Sequence, residues 1–236
     1  MTAGARRSPL HDVLVEASPR HTELHGMPAV LELPTDGASL PVMLADASSL
    51  PRMGVKGPQA ETWLRGQGIH PPAGVNAWTR TTDGVLIARL GRSEFFLEDA
   101  FGGAVVERCR AMLVPGPGLY PVLRQDAALV LAGPRLNDLL VQTCSVDFKS
   151  PTMHEPVAVM TSMIGVSVLA ICDRASAGPV LRLWCDGTFG PYLWETLLGI
   201  AHEEGGGAVG LGKLFPGVPL FPNVLGHSMV QERGRP

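Results

Sequence analysis

A short strand, a Gly-Pro dipeptide and a helix follow one another at two places in this chain of 236 residues. The first unit has a strand predicted over residues 53–56 and its dipeptide at 57–58, whereas the second, residues 130–140, has its dipeptide at 133–134. Proline is pre-organised for the start of a helix, so each dipeptide predicts where a helix begins. Because this strand-to-helix corner occurs twice, we predict a fold built as a twofold internal repeat.

The rest of the sequence alternates short apolar runs with turn residues, consistent with its 28 glycines and 21 prolines. The apolar runs predict strands at residues 85–90, 94–97, 157–162, 165–172 and 180–186. A helix is predicted after the strands of each half, at residues 100–112 and 192–204. This order predicts an α+β fold, a twofold pseudo-repeat of antiparallel sheets with helices packed on one side.

The repeat predicts five segments along the chain. They are an N-terminal arm at 1–28, a first half of the fold at 29–114, a crossover at 115–126, a second half at 127–207 and a Pro-rich C-terminal tail at 208–236. The prolines and glycines of the crossover argue against regular structure there. The arm is expected to be ordered by a partner surface, and the tail to lie extended over a neighbouring surface, either its own or another subunit's.

Composition excludes several classes of protein. The net charge is -3 and the basic residues form no stripe, which argues against nucleic-acid binding. The longest apolar run, residues 157–171, is too short and too polar to span a bilayer, and the N-terminus lacks a secretory signal, so we predict a cytoplasmic protein. Four cysteines without a Cys-x-x-Cys pair predict free, packed thiols.

Four stretches carry a resemblance to a known family: ADASSLPRMGVKGPQAETWL, VNAWTRTTDGVLIARLGRSEFFLED, LVLAGPRLNDLLVQTCSVDFKS and LRLWCDGTFGPYLWETLL. In order and spacing they resemble the folate-binding fold of the glycine-cleavage aminomethyltransferases. They are more closely similar to the gamma subunits of heterotetrameric sarcosine oxidases. The resemblance covers residues 40–205 and leaves out the arm and the tail.

The departures from the family pattern concern its chemistry. In the aminomethyltransferases a strand carries an Asp-Asp pair, one carboxylate of which handles the folate nitrogen and the substrate amine. The corresponding positions here are Ala88 and Arg89, which cannot accept a proton at neutral pH. The family's Thr-Gly-Glu-x-Gly segment, whose Glu bonds the pterin ring, corresponds to residues 174–178, with Ser176 in place of the Glu. The resemblance thus implies the shape without the general base or the pterin anchor.

The resemblance implies a non-catalytic, gamma-type subunit of a heteromeric flavin- and folate-linked oxidase or dehydrogenase acting on sarcosine or another N-methyl amino acid. Its partners would be the large and small subunits of that enzyme. Tetrahydrofolate binding by this chain is possible, and flavins are expected only in the partner subunits, because no Gly-x-Gly-x-x-Gly follows a strand here.

Two alternatives stay open. The first is a stand-alone tetrahydrofolate-binding protein or one-carbon (aminomethyl) transferase in which Glu94 or Asp83 supplies the acid. The second is a folate-binding maintenance factor for iron–sulfur enzymes, which the family's fold also hosts. Residues 144–151, where its Lys-Gly-Cys-Tyr-x-Gly-Gln signature would fall, do not contain it.

A residual folate pocket would use Trp184, Glu94, Arg89 and Ser176. No catalytic residue and no metal ligand is assigned. For Glu94 the favoured interpretation is an ion pair with Arg89 or Arg92 on its own hairpin. Trp184 belongs with the other aromatic residues of its region, Tyr192 and Trp194, which more often form a core or an oligomer contact than a stacking platform.

Other candidates have simpler structural explanations. His154, Glu155 and Asp147 share a loop but are too few to predict a metal site. His21 and His25 share a helical spacing that the following glycine and proline disfavour. A nucleophilic role for Cys144 is disfavoured because it follows a helix instead of preceding one. The glycines at 205–207 also follow a helix, and they predict a flexible exit rather than a phosphate cradle.

Overall fold

The computed structural model describes residues 6–15, 19–100, 103–150, 155–175 and 178–215. The α-helices are α1 (His11–Val15), α2 (Ala60–Gly66), α3 (Val105–Met112), α4 (Leu136–Thr143), α5 (Gly190–Glu203) and α6 (Leu211–Leu214). The first strands are β1 (Arg20–Leu24), β2 (Met27–Glu32), β3 (Met43–Asp46), β4 (Arg52–Lys56), β5 (Trp78–Arg80), β6 (Leu86–Gly91) and β7 (Glu94–Glu98). The remaining strands are β8 (Tyr120–Val122), β9 (Ala127–Ala132), β10 (Ala158–Met163), β11 (Val166–Ala175), β12 (Gly178–Cys185) and β13 (Gly207–Ala208).

Two large sheets organise these strands. Sheet I has the order β10-β11-β12-β9-β3-β13 and sheet II the order β5-β6-β7-β4-β8, while β1 and β2 form a separate hairpin. In the described part of the chain every neighbouring pair is antiparallel except β13 with β3. The predicted α+β class with antiparallel sheets is confirmed.

The two halves of the repeat exchange a strand. β3 precedes β4 in the sequence but pairs with β9 of the second half, and β8 precedes β9 but pairs with β4 of the first half. After this exchange each half runs through the same series, a strand, a helix, three antiparallel strands and a second helix. Each sheet is therefore completed by the other half of the chain.

Both Gly-Pro corners make the same backbone hydrogen bond to the other half of the chain. Gly57 and Gly133 have φ angles of 112° and 120°, in the region that favours glycine. Two residues after each glycine, the Gln59 amide donates to the Gly118 carbonyl at 2.9 Å and the Arg135 amide to the Pro41 carbonyl at 3.0 Å. These carbonyls precede the exchanged strands, so the repeated sequence motif marks the two places where the halves interlock.

The buried apolar side chains form three layers, which the two sheets separate. The outer face of sheet I packs on α1, α4 and α5, through residues such as Leu131, Leu139 and Leu193. The outer face of sheet II packs on α2 and α3, and the inner faces of the two sheets meet through residues such as Ala88 and Val130. The helices α1 to α5 thus lie on one side of each sheet, as predicted, and the inner faces of the two sheets pack face to face. The short α6 lies in the inner layer beside β2 and β3.

Two local predictions differ from the structure. The crossover at 115–126 contains β8, because Pro121 lies on the edge strand of sheet II, where proline can be tolerated. The helices after the Gly-Pro corners begin at Ala60 and Leu136, two residues beyond the prolines. The reason is that a turn comes first: the Ala60 amide donates to the Gly57 carbonyl at 2.9 Å.

The described parts of the arm and tail pack on the chain itself. Leu10 and Leu14, one helical turn apart, are buried in the core beneath sheet I, and the Ser8 hydroxyl donates to the Asp46 carboxylate. At the other end Leu211 is buried between the sheets and β2. Residues 216–236 of the predicted tail lie outside the described residues. In the part of the chain described here, no helix has the length and apolar character needed to cross a bilayer.

Alanine at either Gly-Pro corner should destabilise the fold. A Cβ at Gly57 would overlap the Gly118 carbonyl, and one at Gly133 the Pro41 carbonyl, in addition to the strain of a positive φ. We expect Gly57→Ala and Gly133→Ala each to lower the free energy of unfolding by about 2 kcal/mol or more in denaturant titrations. Gly199→Ala, in α5 with open space around it, is the control and should be neutral or stabilising. Equal effects at all three positions would contradict this account.

Candidate functional site

An open cavity of about 740 Å³ lies between the two sheets. β10, β11 and β12 line one side, β6 and β7 line the other, and the link from β8 to β9 contributes Arg124 and Asp126. The carboxylates at the cavity are Glu94, Asp126 and Asp186, and the hydroxyls are Thr161, Ser162 and Ser167. Its volume is within the range of small-molecule sites.

Trp184 forms part of the cavity wall and is fixed by two contacts. Its ring lies edge-on to Phe96, with centroids 5.0 Å apart and an interplanar angle of 64°. Its indole Nε1 donates to Glu98 Oε2 at 2.6 Å, and the residue is 3% exposed. Trp184 therefore belongs to the packed contact between the sheets while also bordering the cavity.

Glu98 is the centre of a buried ionic network beside this wall. Arg182 Nη1, from the opposite sheet, donates to Glu98 Oε1 at 2.7 Å, and Arg52 Nη1 lies 3.6 Å from Oε2. Arg182 Nε lies 3.5 Å from Asp173 Oδ2, which also pairs with Arg80 of sheet II. Burial lowers the pKa of both Arg52 and Arg182, and Glu98 opposes that shift. The network ties the two sheets together by charge.

Arg124 also lines the cavity and is held by three contacts. Its guanidinium lies 3.6 Å from Glu94 Oε1, 3.9 Å from Asp126 Oδ1 and 5.4 Å from the centroid of the Phe96 ring. Gly54 makes room for it, because a Cβ there would lie 3.3 Å from Arg124 Nε. Arg124 Nε and Asp126 Oδ2 are buried and accept or donate no hydrogen bond within the described part of the protein. Both residues line the cavity and bring one charge of each sign to it.

Of the four residues predicted for a folate pocket, Trp184 and Glu94 line the cavity. Arg89 does not, because it faces the helices on the other side of sheet II. There it donates to Glu61 Oε2 at 2.6 Å and to the Pro72 carbonyl at 2.7 Å. The hydrogen bond from Arg89 to Glu61, with those from Arg65, lowers the pKa of Glu61. Ser176 lies outside the described residues.

The predicted partners of Glu94 are also different. Arg124 takes the place expected for Arg89 or Arg92, since β8 leads Arg124 back along the edge of sheet II. Asp83, the other candidate acid, is exposed in the turn before β6 and does not line the cavity.

The aromatic cluster predicted from the sequence is divided by sheet I. Trp184 lies between the sheets, whereas Trp194 is buried in the core beneath the helices. Tyr192 is 52% exposed on α5, and its hydroxyl donates to the Ile164 carbonyl at 3.3 Å.

Among the described residues, the cysteines form no disulfide and the histidines join no metal-ligating cluster. All four cysteines are free thiols, and burial raises the pKa of Cys172 and Cys185 to about 11. His21 lies on β1 and His25 in the β1–β2 turn, and no cluster of three or more metal-ligating side chains occurs among the described residues. His154 lies outside them.

The glycines at 205–207 form a packed corner instead of a flexible exit. A Cβ at Gly206 would overlap the Val42 carbonyl, and the Gly206 amide donates to the Ala201 carbonyl at 2.7 Å. Gly207 then begins β13 beside β3.

The titration of two carboxyl groups is shifted upward by burial, but away from the cavity. They are Asp46, bonded to Ser8 and Ser48, and Asp99, which accepts from the Val106 amide at the start of α3. At the cavity, Asp186 accepts from both the amide and the hydroxyl of Thr188, which lowers its pKa and keeps it ionised.

Four residues of this region have no place in the sequence prediction: Glu98, Arg182, Arg124 and Asp126. A usable signal existed for Arg182, a charged residue inside the apolar strand β12, where an unpaired charge would be costly. Glu98 is the last residue of β7, beside Asp99, and carries no such signal. No local signal marks Arg124 or Asp126.

Comparison with known proteins shows the fold. No protein-family model matches the sequence, and no curated protein sequence matches it significantly. The crystal structure of the glycine cleavage system aminomethyltransferase T from Bartonella henselae matches with a TM-score of 0.66 at 15% identity, over 89% of this chain and 61% of that one. This chain thus spans about three fifths of the aminomethyltransferase.

A chain of the heterotetrameric sarcosine oxidase from Corynebacterium sp. U-96, in complex with pyrrole 2-carboxylate, matches with a TM-score of 0.62 at 20% identity. The match covers 84% of this chain and 95% of that one, so the two chains are of similar length. This chain therefore has the same fold as the aminomethyltransferase and the matched sarcosine oxidase chain.

Removing the charge of Glu98 should be strongly destabilising. Glu98→Gln leaves Arg52 and Arg182 buried without their shared counter-charge. We expect a loss of about 3–5 kcal/mol in the free energy of unfolding. Glu32→Gln, which breaks the exposed pair with Arg20, is the matched control and should cost at most about 1 kcal/mol. If denaturant titrations give the two variants the same stability, the network does not hold the sheets together.

Proposed function

We propose that this chain is a non-catalytic, gamma-type subunit of a heteromeric flavin- and folate-linked oxidase or dehydrogenase acting on sarcosine or another N-methyl amino acid. The observation that carries the proposal is Ala88. It occupies an inward position of β6, buried against the other sheet, where the resemblance to aminomethyltransferases leads us to expect a carboxylate. A methyl group there cannot move a proton.

The buried carboxylate that is present supports the same proposal. Both oxygens of Glu98 accept short hydrogen bonds, one from Arg182 and one from Trp184. Protonating Glu98 would leave two buried guanidinium groups without compensation. Glu98 therefore suits a structural role, and an acid–base role would work against the packing of the sheets.

The structural comparisons support a subunit rather than a whole enzyme. The matched sarcosine oxidase is described as a heterotetramer, and this chain covers 95% of one of its chains. By this proposal the partner subunits hold the flavins and the working folate site. The role of this chain is then to stabilise them by burying surface, since a partner that binds only the folded state stabilises it by mass action.

The cavity favours a second candidate, a tetrahydrofolate-binding protein or one-carbon transferase. Its volume, the edge of Trp184 and the opposite charges of Arg124 and Asp126 fit a flat, polar ligand such as a pterin. In such a transferase Glu94, at the mouth of the cavity, would be the acid. The two candidates differ in whether the cavity carboxylates contribute to turnover.

Affinity purification of the tagged chain from its source cells tests the first candidate. We expect stoichiometric recovery of flavin-containing subunits, visible by their absorbance, together with sarcosine-dependent oxidase activity. A purification with the tag alone is the control. Recovery of a folded, monomeric chain without flavoprotein would contradict the proposal.

A further inference from the structure

A second, smaller cavity of about 410 Å³ lies at the edge of sheet II, where β4 and β8 meet α3. We call it the arginine pocket, because the side chains of Arg52, Arg110 and Arg124 line it together with the apolar Met53, Leu113 and Leu123. No carboxylate is among its lining residues.

Within the described part of the chain, two guanidinium groups of the pocket keep an unbonded Nε although each has a counter-ion: Arg52 pairs with Glu98, and Arg124 pairs with Glu94 and Asp126. Arg52 is 1% exposed, and its Nε has no hydrogen-bond partner in the part of the protein described here. Arg124 Nε has none either. Arg110 donates to the Arg52 carbonyl and lies 3.3 Å from Glu107, its surface counter-ion. Three guanidinium groups, two of them with an Nε left unbonded by the described residues, in a partly apolar pocket favour a carboxylate as their ligand.

The rim of the pocket is exposed and apolar. We define it as Leu123, which lines the pocket, with three exposed residues adjacent in sequence to lining residues: Met112 and Val114 on either side of Leu113, and Tyr120 next to Pro121. Leu123 and Val114 are 76% exposed, Met112 53% and Tyr120 48%. They are four of the nine large apolar side chains found exposed in the described residues, and they fall within 12 consecutive positions. A concentration of this kind is typical of a protein-binding surface.

We infer that the arginine pocket and its rim form the surface on which a partner subunit docks, with an apolar segment of the partner covering the rim and an Asp or Glu side chain entering the pocket. The inference rests on the proposed function and adds the location and chemistry of the contact. A small carboxylate would fill the pocket but leave the rim in water, whereas a protein segment covers both.

A second copy of this chain fits the surface poorly. Two copies related by a twofold axis would present the same arginines to each other, and like charges in contact are unfavourable. Pairing through the edge of β8 is also disfavoured, because Pro121 has no amide hydrogen to donate. Side-chain contacts to an acidic, apolar segment are therefore the expected mode.

Rim and pocket variants of the tagged chain test this inference in the affinity purification. We expect Val114→Asp and Leu123→Asp each to reduce the recovered flavoprotein at least tenfold, because a carboxylate would be buried against the partner. Val141→Asp, 68% exposed on α4, is the matched control and should recover the wild-type amount. Circular dichroism and denaturant titration establish that all variants are folded.

The carboxylate is tested by two variants of Arg110. Arg110→Glu should weaken recovery of the flavoprotein, whereas Arg65→Glu, on the exposed face of α2, should not. In the complex carrying Arg110→Lys, a carbodiimide should join the new amine to an Asp or Glu of the partner, as identified by mass spectrometry.

The outcomes separate the inference from the proposed function. Wild-type recovery with both rim variants overturns the inference alone, and recovery of no flavoprotein by the wild-type chain overturns both. A dimer of the isolated chain that Leu123→Asp dissociates would assign the surface to a second copy. A rim that becomes exchangeable with deuterium only after removal of residues 216–236 would assign it to the chain's own tail. Either result contradicts a partner subunit as the occupant.

Discussion

Two glycine corners at which one half of the chain packs against the backbone of the other hold this fold together. At Gly57 and Gly133 the absence of a Cβ lets a carbonyl of the opposite half approach and accept a hydrogen bond. β3 and β8 follow directly from these carbonyls into the other half's sheet. Neither sheet is complete within one half, so the face-to-face packing of the sheets, and the cavity between them, depend on both corners. The limits of the five segments predicted from the sequence, including the crossover at 115–126, stay a prediction.

The contact between the sheets combines small apolar residues with a few charges. Glu98 and Arg182 join the sheets, and the cost of burying them is offset only while each has its partner. On the inner face of β6, Ala88 stands where the resemblance implies a carboxylate. The next residue, Arg89, lies on the outer face of the sheet and contacts Glu61 of α2. The chain thus uses its charged residues at this contact to fix the sheets, as the proposed supporting role requires.

The local structure was predictable from the sequence because local patterns determine it. Apolar periodicity indicated the strands and most of the helices, and the repeated Gly-Pro dipeptide indicated the repeat. The alternation of Leu181 and Leu183 with Arg182 and Trp184 along the sequence agrees with the two faces of β12 in the structure. It could not show that both faces are buried, one by helices and one by a second sheet.

The parts that sequence reasoning missed depend on long-range pairing. The exchange of β3 and β8 has no local signature, since any apolar strand can pair with several others. Arg124 reaches Glu94 only because β8 pairs with β4. The partners predicted for Glu94 were instead the arginines nearest to it in sequence, Arg89 and Arg92. The burial of Leu10 and Leu14 was missed for the same reason, because a short amphipathic helix docks equally well on its own core or on a partner.

The central claim is that this chain acts by contact and performs no proton transfer. The most direct test is sarcosine turnover by the assembled enzyme containing the chain with both Glu94→Gln and Asp126→Asn, the carboxylates nearest Arg124 at the cavity. The account predicts a kcat within about twofold of the wild-type complex, because groups outside the chemistry contribute no general acid–base catalysis. A loss of about 100-fold or more, with assembly intact, would place these carboxylates in the reaction and contradict the account.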